Sequence, residues 1–121
     1  MTYDTVIVDA HVISPQGIID KNIVIDNEKI IRFANDIPSC DKKINANGLI
    51  AIPGLIDTHV HYGVYSPIDK AARTESHAAA IGGITTMMRM LRLGNSFQNT
   101  LQEQLDASSK YHYVDLSLIH I

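Results

Sequence analysis

A pair of histidines two residues apart is the feature of this chain most suited to chemistry. His59 and His61 lie in the stretch AIPGLIDTHVHYG, residues 51–63, directly after an apolar run, and Asp57 precedes them at the same spacing. Alternate residues of a β-strand face the same side of a sheet, so a strand here would place all three side chains on one face. Two neutral imidazoles on one face can both reach a single divalent ion, and zinc and similar metals bind imidazole nitrogen well. The spacing makes His59 and His61 candidate metal ligands.

The same two histidines also have a simpler interpretation. A His-x-His pair is a weak signal in a chain with six histidines, because chance pairs are common. Two polar side chains at the end of a strand can instead be satisfied by neighbouring backbone groups. The pair alone leaves both interpretations open, and the elements around it decide between them.

Residues 1–49 have the sequence pattern of a small β-subdomain. Short alternating, β-branched runs such as TVIVDAHVIS (5–14) and KNIVIDNEKIIRFA (21–34) are separated by Gly, Asn and Asp. That pattern predicts small antiparallel strands joined by hairpins, without a catalytic unit of their own.

Residues 50–121 instead alternate strand and helix patterns. The strand-like runs are LIAIPGLIDTHVH (49–61), ITTMMRML (84–91) and YHYVDLSLIHI (111–121). One helix is predicted near 67–81, with Ser66 as its N-cap. A second helix is predicted near 97–109. The order β-α-β-α-β with short connections predicts a parallel sheet. The histidine pair then lies at the carboxyl end of the first strand, where α/β folds build active sites.

The last run is apolar and has no turn or polar tail before Ile121. A three-stranded parallel sheet covered by two helices leaves an edge and a face open, which natural domains avoid. We therefore expect the chain to be the N-terminal portion of a longer protein. A complete small α/β domain is the alternative.

Composition excludes several classes of function. The formal net charge is −3 with no basic stripe, which argues against nucleic acid as a partner. No apolar run approaches the roughly 20 residues of a membrane span, and no basic leader precedes a long apolar core. Cys40 is the single cysteine, so no disulfide forms within the chain. We expect a cytoplasmic protein with neither nucleic acid nor membrane as a partner.

The stretch PGLIDTHVH, after a β-rich leader, resembles the amidohydrolase superfamily, and within it the cyclic amidohydrolases: hydantoinase, dihydropyrimidinase, dihydroorotase and allantoinase. The segment TESHAAAIGGITTMMRM (74–90) is similar to that group's passage from the first barrel helix into the second strand. The resemblance implies an α/β fold: the first three β/α units of a distorted TIM (β/α)8 barrel over residues 50–121. Residues 1–49 would be half of a composite β-sandwich.

The resemblance also implies a divalent metal centre, with zinc as the expected ion, binuclear in the full-length protein. His59 and His61 match the group's first-strand metal ligands. Asp57 matches the acidic position of the motif and is interpreted as a polar residue of the barrel interior that does not bind the ion. The remaining ligands and the catalytic acid or base are expected on later strands, so no catalytic residue is predicted in this chain.

The implied activity of the full-length protein is hydrolysis of a small cyclic amide or ureide, by a homo-oligomer. This chain alone is expected to bind metal weakly at best and to be inactive. Dihydroorotases are expected to carry an arginine just after the second histidine, whereas this chain has Tyr62-Gly63-Val64. That difference favours the hydantoinase and dihydropyrimidinase branch. The alternatives are a dihydroorotase or allantoinase, a non-catalytic dihydropyrimidinase-like assembly protein, and a module that associates through its strand edges.

The other histidines are predicted to be structural. His77 is interpreted as a surface or packing residue of the first helix, and His11 lies in the β-leader. His112 and His120 are predicted at opposite ends of the last strand, too far apart to share an ion.

Overall fold

The computed structural model describes residues 2–91 and 96–120 of the chain. Contacts divide the chain into two compact units, Met1–Pro53 and Gly54–Ile121. This boundary lies four residues after the one predicted at residue 49. The reason is that Ile50 and Ala51 do not begin the later strand but pair with His11 and Val12 of the first unit.

The first unit contains seven strands in its described residues. They are β1 (Tyr3–Val8), β2 (His11–Ser14), β3 (Gly17–Asp20), β4 (Asn22–Asp26), β5 (Lys29–Ala34), β6 (Cys40–Asn45) and β7 (Ile50–Ala51). One sheet has the order β5-β4-β1-β6 and the other the order β3-β2-β7. The hairpin pairs are antiparallel as expected, but β6 pairs with β1, and β7 with β2, in parallel. The purely antiparallel prediction was wrong for these two strands, since their partners lie far back in the chain.

The core of the first unit comes from the alternation of apolar residues. Val6, Val8, Val24 and Ala34 form one buried cluster. A second cluster contains Ala10, Val12 and Ile23, with Ile7 and Ile25 packed against it. In β1 and β4, neighbouring residues therefore contribute to different clusters, as the two-residue period of a strand requires.

The second unit alternates strands and helices. Its elements are β8 (Leu55–Val60), α1 (Ile68–Ile81), β9 (Ile84–Leu91), α2 (Phe97–Tyr111) and β10 (Asp115–His120). The strands form one parallel sheet in the order β10-β9-β8. The predicted order and the parallel pairing are confirmed, and both helices lie within two residues of their predicted bounds.

The start of α1 differs from the prediction. Its N-cap is Pro67, and no side chain bonds to the first turn, so the expected cap by Ser66 does not form. Asp69 lies in the first turn, where a negative charge favours the helix dipole. At the other end α1 stops at two glycines, Gly82 as its C-cap and Gly83 with a left-handed φ of 83°.

One face of this sheet packs against the helices. The buried cluster contains Tyr62, Ala71, Ala72 and Met87, with Val60 and Ile68 packed on its rim. The small alanines let α1 lie close to the strands. None of the described helices is long and apolar enough to cross a membrane.

Candidate metal centre

The imidazoles of His59 and His61 converge at the carboxyl end of β8. His59 lies within the strand and His61 is the first residue after it. Their Nε2 atoms are 3.0 Å apart, and the rings meet edge to face with centroids 5.0 Å apart. Both residues are exposed. The sequence pattern thus correctly places the two nitrogens together, while metal binding itself stays a prediction.

The separation of the two nitrogens fits a shared ion. Two nitrogens at about 2.0–2.1 Å from a tetrahedral zinc ion are roughly 3.3 Å apart. The observed Nε2 to Nε2 distance is 3.0 Å, so a small rotation of either ring would accommodate the ion.

The described part of the chain does not bring a third metal donor to the histidine pair. Across residues 2–91 and 96–120, no group of three or more His, Cys, Asp and Glu side chains is placed to hold an ion. A catalytic zinc site uses about three protein ligands. His59 and His61 supply two of these three, and their role as metal ligands stays a prediction.

Asp57 holds the backbone of the motif. Its Oδ1 accepts a hydrogen bond of 3.1 Å from the backbone N–H of His59. Asp57 pairs with Met87 and Val60 with Arg89, so three steps along β8 match two along β9. This irregularity adds a residue to β8 and interrupts the alternation of side chains. A face shared by Asp57 and both histidines therefore does not follow from strict alternation, and it stays a prediction.

The residue after His61 turns away from solvent. Tyr62 is buried, and Gly63 adopts a left-handed φ of 79°. A Cβ on Gly63 would lie 2.8 Å from Ile68 Cδ1 and 3.2 Å from Arg89 Nη2. The backbone conformation favours glycine here, and a Cβ would also have to displace the end of the Ile68 side chain.

Replacing Gly63 by alanine is expected to destabilise the second unit. The left-handed conformation costs a residue with a Cβ about 1–2 kcal/mol, and the contact with Ile68 adds to that cost. Urea unfolding of Gly63→Ala and Gly83→Ala separates the two causes. Gly83 has a similar φ of 83° but open space around its missing Cβ. Equal losses in the two variants would contradict the steric part of the argument.

A polar cluster that sequence reasoning missed adjoins the histidine pair through Tyr62. Arg89 is only 4% exposed, and its guanidinium carbon lies 4.3 Å from the centroid of the Tyr62 ring. Burial raises the pKa of Tyr62 and lowers the pKa of Arg89, because it disfavours both charged forms. The one signal in the sequence was a charged residue inside the apolar run MMRML.

His112 belongs to this cluster and not to the last strand, where it was predicted. It is the C-cap of α2, and β10 begins at Asp115. Its Nε2 lies 2.9 Å from the Tyr62 hydroxyl. His77 stacks edge to face on Tyr113, with ring centroids 5.2 Å apart, which agrees with the predicted packing role. The side chain of His120 lies outside the described residues.

Known proteins were compared with the chain in sequence and in fold. No family model matches it. Over 108 residues it is 32% identical to a dihydroorotase of Streptococcus thermophilus, a match that covers 84% of this chain and 26% of that protein. A dihydroorotase of Streptococcus pyogenes serotype M1 is 36% identical over 93 residues, covering 74% of this chain and 22% of the relative.

Two solved structures share the fold across nearly the whole chain. An L-hydantoinase (dihydropyrimidinase) from Arthrobacter aurescens superposes with a TM-score of 0.81 at 23% identity. A D-hydantoinase superposes with a TM-score of 0.82 at 22% identity. Each match covers 97% of this chain and 27% of the other protein. The chain is thus homologous to dihydroorotases and shares its fold with hydantoinases, both of which are cyclic amidohydrolases.

The chain spans about a quarter of the length of the relatives it matches. The resemblance inferred from PGLIDTHVH is thereby confirmed. The sequence relatives carry the name of one branch and the structural neighbours the name of another.

Proposed function

We propose that this chain contributes His59 and His61 to the metal centre of a hydrolase that opens a small cyclic amide or ureide ring. The observation that carries the proposal is the 3.0 Å approach of the two Nε2 atoms at the end of β8, in a chain of this family. We further propose that β8, β9 and β10 with their helices are the first three units of a (β/α)8 barrel. The parallel order and the helices packed on one face of the sheet support this architecture.

In this function His59 and His61 would hold a divalent ion, with zinc as the expected metal. When bound there, such an ion would supply hydroxide at neutral pH and a positive charge for the amide carbonyl of the substrate. Asp57 keeps the backbone of His59 in place through its hydrogen bond. The second ion of a binuclear centre, the remaining ligands and the proton-transferring carboxylate would need residues beyond those described. Assembly into a homo-oligomer stays a prediction.

The residues after the histidine pair favour a ring substrate without a carboxylate. Tyr62 is buried, and a Cβ on Gly63 would lie 2.8 Å from Ile68 Cδ1. Neither residue is an arginine that could contact a substrate carboxylate. Hydantoin and dihydropyrimidine rings need no such contact. Dihydroorotate is the second candidate, because the sequence relatives at 32% and 36% identity bear the name dihydroorotase.

A substrate comparison tests the proposal. A purified longer protein that includes this chain, loaded with zinc, is assayed with hydantoin, dihydrouracil and dihydroorotate. We expect kcat/KM for hydantoin or dihydrouracil to exceed that for dihydroorotate by about tenfold or more, which corresponds to roughly 1.4 kcal/mol. A chelator-treated sample is the control.

The other outcomes of this comparison separate the alternatives. A preference for dihydroorotate would establish the second candidate and overturn the argument from Tyr62 and Gly63. Stoichiometric metal without hydrolysis of any ring would indicate a non-catalytic assembly protein.

A further inference from the structure

Tyr62 is fixed at both its backbone and its side chain. Its backbone carbonyl accepts a hydrogen bond of 3.0 Å from Arg89 Nη2. Its hydroxyl lies 2.9 Å from His112 Nε2, fifty residues further along the chain. The ring is buried against Ala71, Ala72 and Met87 in the core between helices and sheet. Tyr62 is thus held by contacts with several different elements, while His61 beside it is exposed.

The direction of the Tyr62 hydrogen bond follows from the other nitrogen of His112. His112 Nδ1 lies 2.8 Å from the backbone carbonyl oxygen of Val114, which can only accept. In a neutral imidazole Nδ1 then carries the proton and Nε2 is the acceptor. The Tyr62 hydroxyl therefore donates to His112.

Arg89 is a costly residue to bury, and its described contacts are with neutral groups. Besides the Tyr62 carbonyl, Nη2 donates to Gln104 Oε1 at 2.8 Å, and the guanidinium lies over the Tyr62 ring. Its Nε and Nη1 atoms are buried without a hydrogen-bond partner. Burying a cation in such surroundings is unfavourable for stability alone. Two of its described contacts hold Tyr62, the neighbour of the histidine pair.

We propose that Tyr62 and Arg89 are positioning residues that set the backbone of His61, so that the two imidazoles are arranged for an ion before it binds. The proposal rests on the proposed metal function. His61 follows the end of β8, and its described side-chain partner is His59. The placement of His61 therefore depends on Tyr62, the anchored residue that follows it. Ligands that are arranged before the ion binds lose less conformational freedom on binding.

The test is a Zn²⁺ titration of the 121-residue chain followed by NMR at the imidazole protons of His59 and His61. Tyr62→Phe keeps the ring in the core but removes the donor to His112. Arg89→Met removes the donor to the Tyr62 carbonyl. We expect Zn²⁺ to bind each variant about three- to tenfold more weakly, somewhat less than the 10–100-fold typical of residues bonded directly to a ligand. Tyr65→Phe is the matched control, because Tyr65 is fully exposed three residues further on.

A pair of variants at His112 separates positioning from packing. His112→Gln can still accept from the Tyr62 hydroxyl and is expected to bind Zn²⁺ like the unchanged chain. His112→Ala cannot accept and is expected to match Tyr62→Phe. Equal weakening in both would overturn the role given to this hydrogen bond.

The remaining outcomes distinguish this inference from the function on which it rests. If Tyr62→Phe and Arg89→Met bind Zn²⁺ as the unchanged chain does, the positioning role is overturned and the metal function stands. If His59→Ala/His61→Ala binds Zn²⁺ unchanged, the metal function fails. Should Arg89→Met not fold, Tyr62→Phe and the His112 pair decide the matter alone.

Discussion

Replacing His59 and His61 together by alanine is expected to abolish divalent-metal binding by this chain, and to abolish metal content and turnover in a longer protein that contains it. The two Nε2 atoms, 3.0 Å apart, are the donors that the described residues bring together. Losing both leaves a catalytic site below the three protein ligands that zinc usually requires. Elemental analysis and a ring-opening assay, run side by side on both proteins, measure the effect.

The control for this double variant is His77→Ala. It removes a histidine that stacks on Tyr113 in the same unit and is not part of the pair. Metal content and turnover should be unchanged in it. An active double variant would show that the histidine pair is structural. Robust ring opening by the unaltered 121-residue chain would overturn the inference that its ligand set is incomplete.

Replacing Gly54 by alanine is expected to destabilise the second unit more than any other glycine substitution considered. A Cβ on Gly54 would lie inside contact distance of Thr85 Cγ2 and Oγ1, and 2.7 Å from Thr85 Cβ. Because Thr85 is β-branched, turning its side chain does not clear the space, and β8 and β9 would have to separate. We expect a loss at or above the upper end of the ~1–3 kcal/mol typical of overpacked positions, measured by urea unfolding.

Two further variants serve as controls for the Gly54→Ala prediction. Gly82→Ala should cost little, because a Cβ there meets its nearest neighbour, the Ala79 carbonyl oxygen, at 3.4 Å. Adding Thr85→Gly to Gly54→Ala should restore much of the lost stability, since it removes the side chain that causes the clash. Stability that does not recover in the double variant would mean that the close approach of Gly54 to Thr85 is not the cause.

The elements of the second unit were predictable because their signals are local. The apolar period of each strand and helix is present within a few consecutive residues, and Gly82 and Gly83 mark the end of α1. The first unit was less predictable in detail. Its strands β6 and β7 return to pair in parallel with β1 and β2, and no local pattern specifies such distant partners.

The start of the last strand was also not predictable from local sequence patterns. The run YHYVDLSLIHI is strand-like throughout, yet α2 continues to Tyr111 and β10 begins at Asp115. Tertiary packing overrides local propensity here, as it often does at the ends of elements.

By itself the sequence determined the resemblance to cyclic amidohydrolases, the parallel arrangement of β8, β9 and β10, and the identity of the two candidate ligands. These depend on residue types at fixed short spacings, so they are readable along one strand. Only the tertiary structure decided which residues contact Tyr62, the neighbour of the two candidate ligands. The bond from Tyr62 to His112 spans fifty residues, and Arg89 meets Gln104 only because α2 packs over β9. Such contacts depend on how the helices and the sheet pack against each other. No repeating pattern of residues along the sequence specifies that packing.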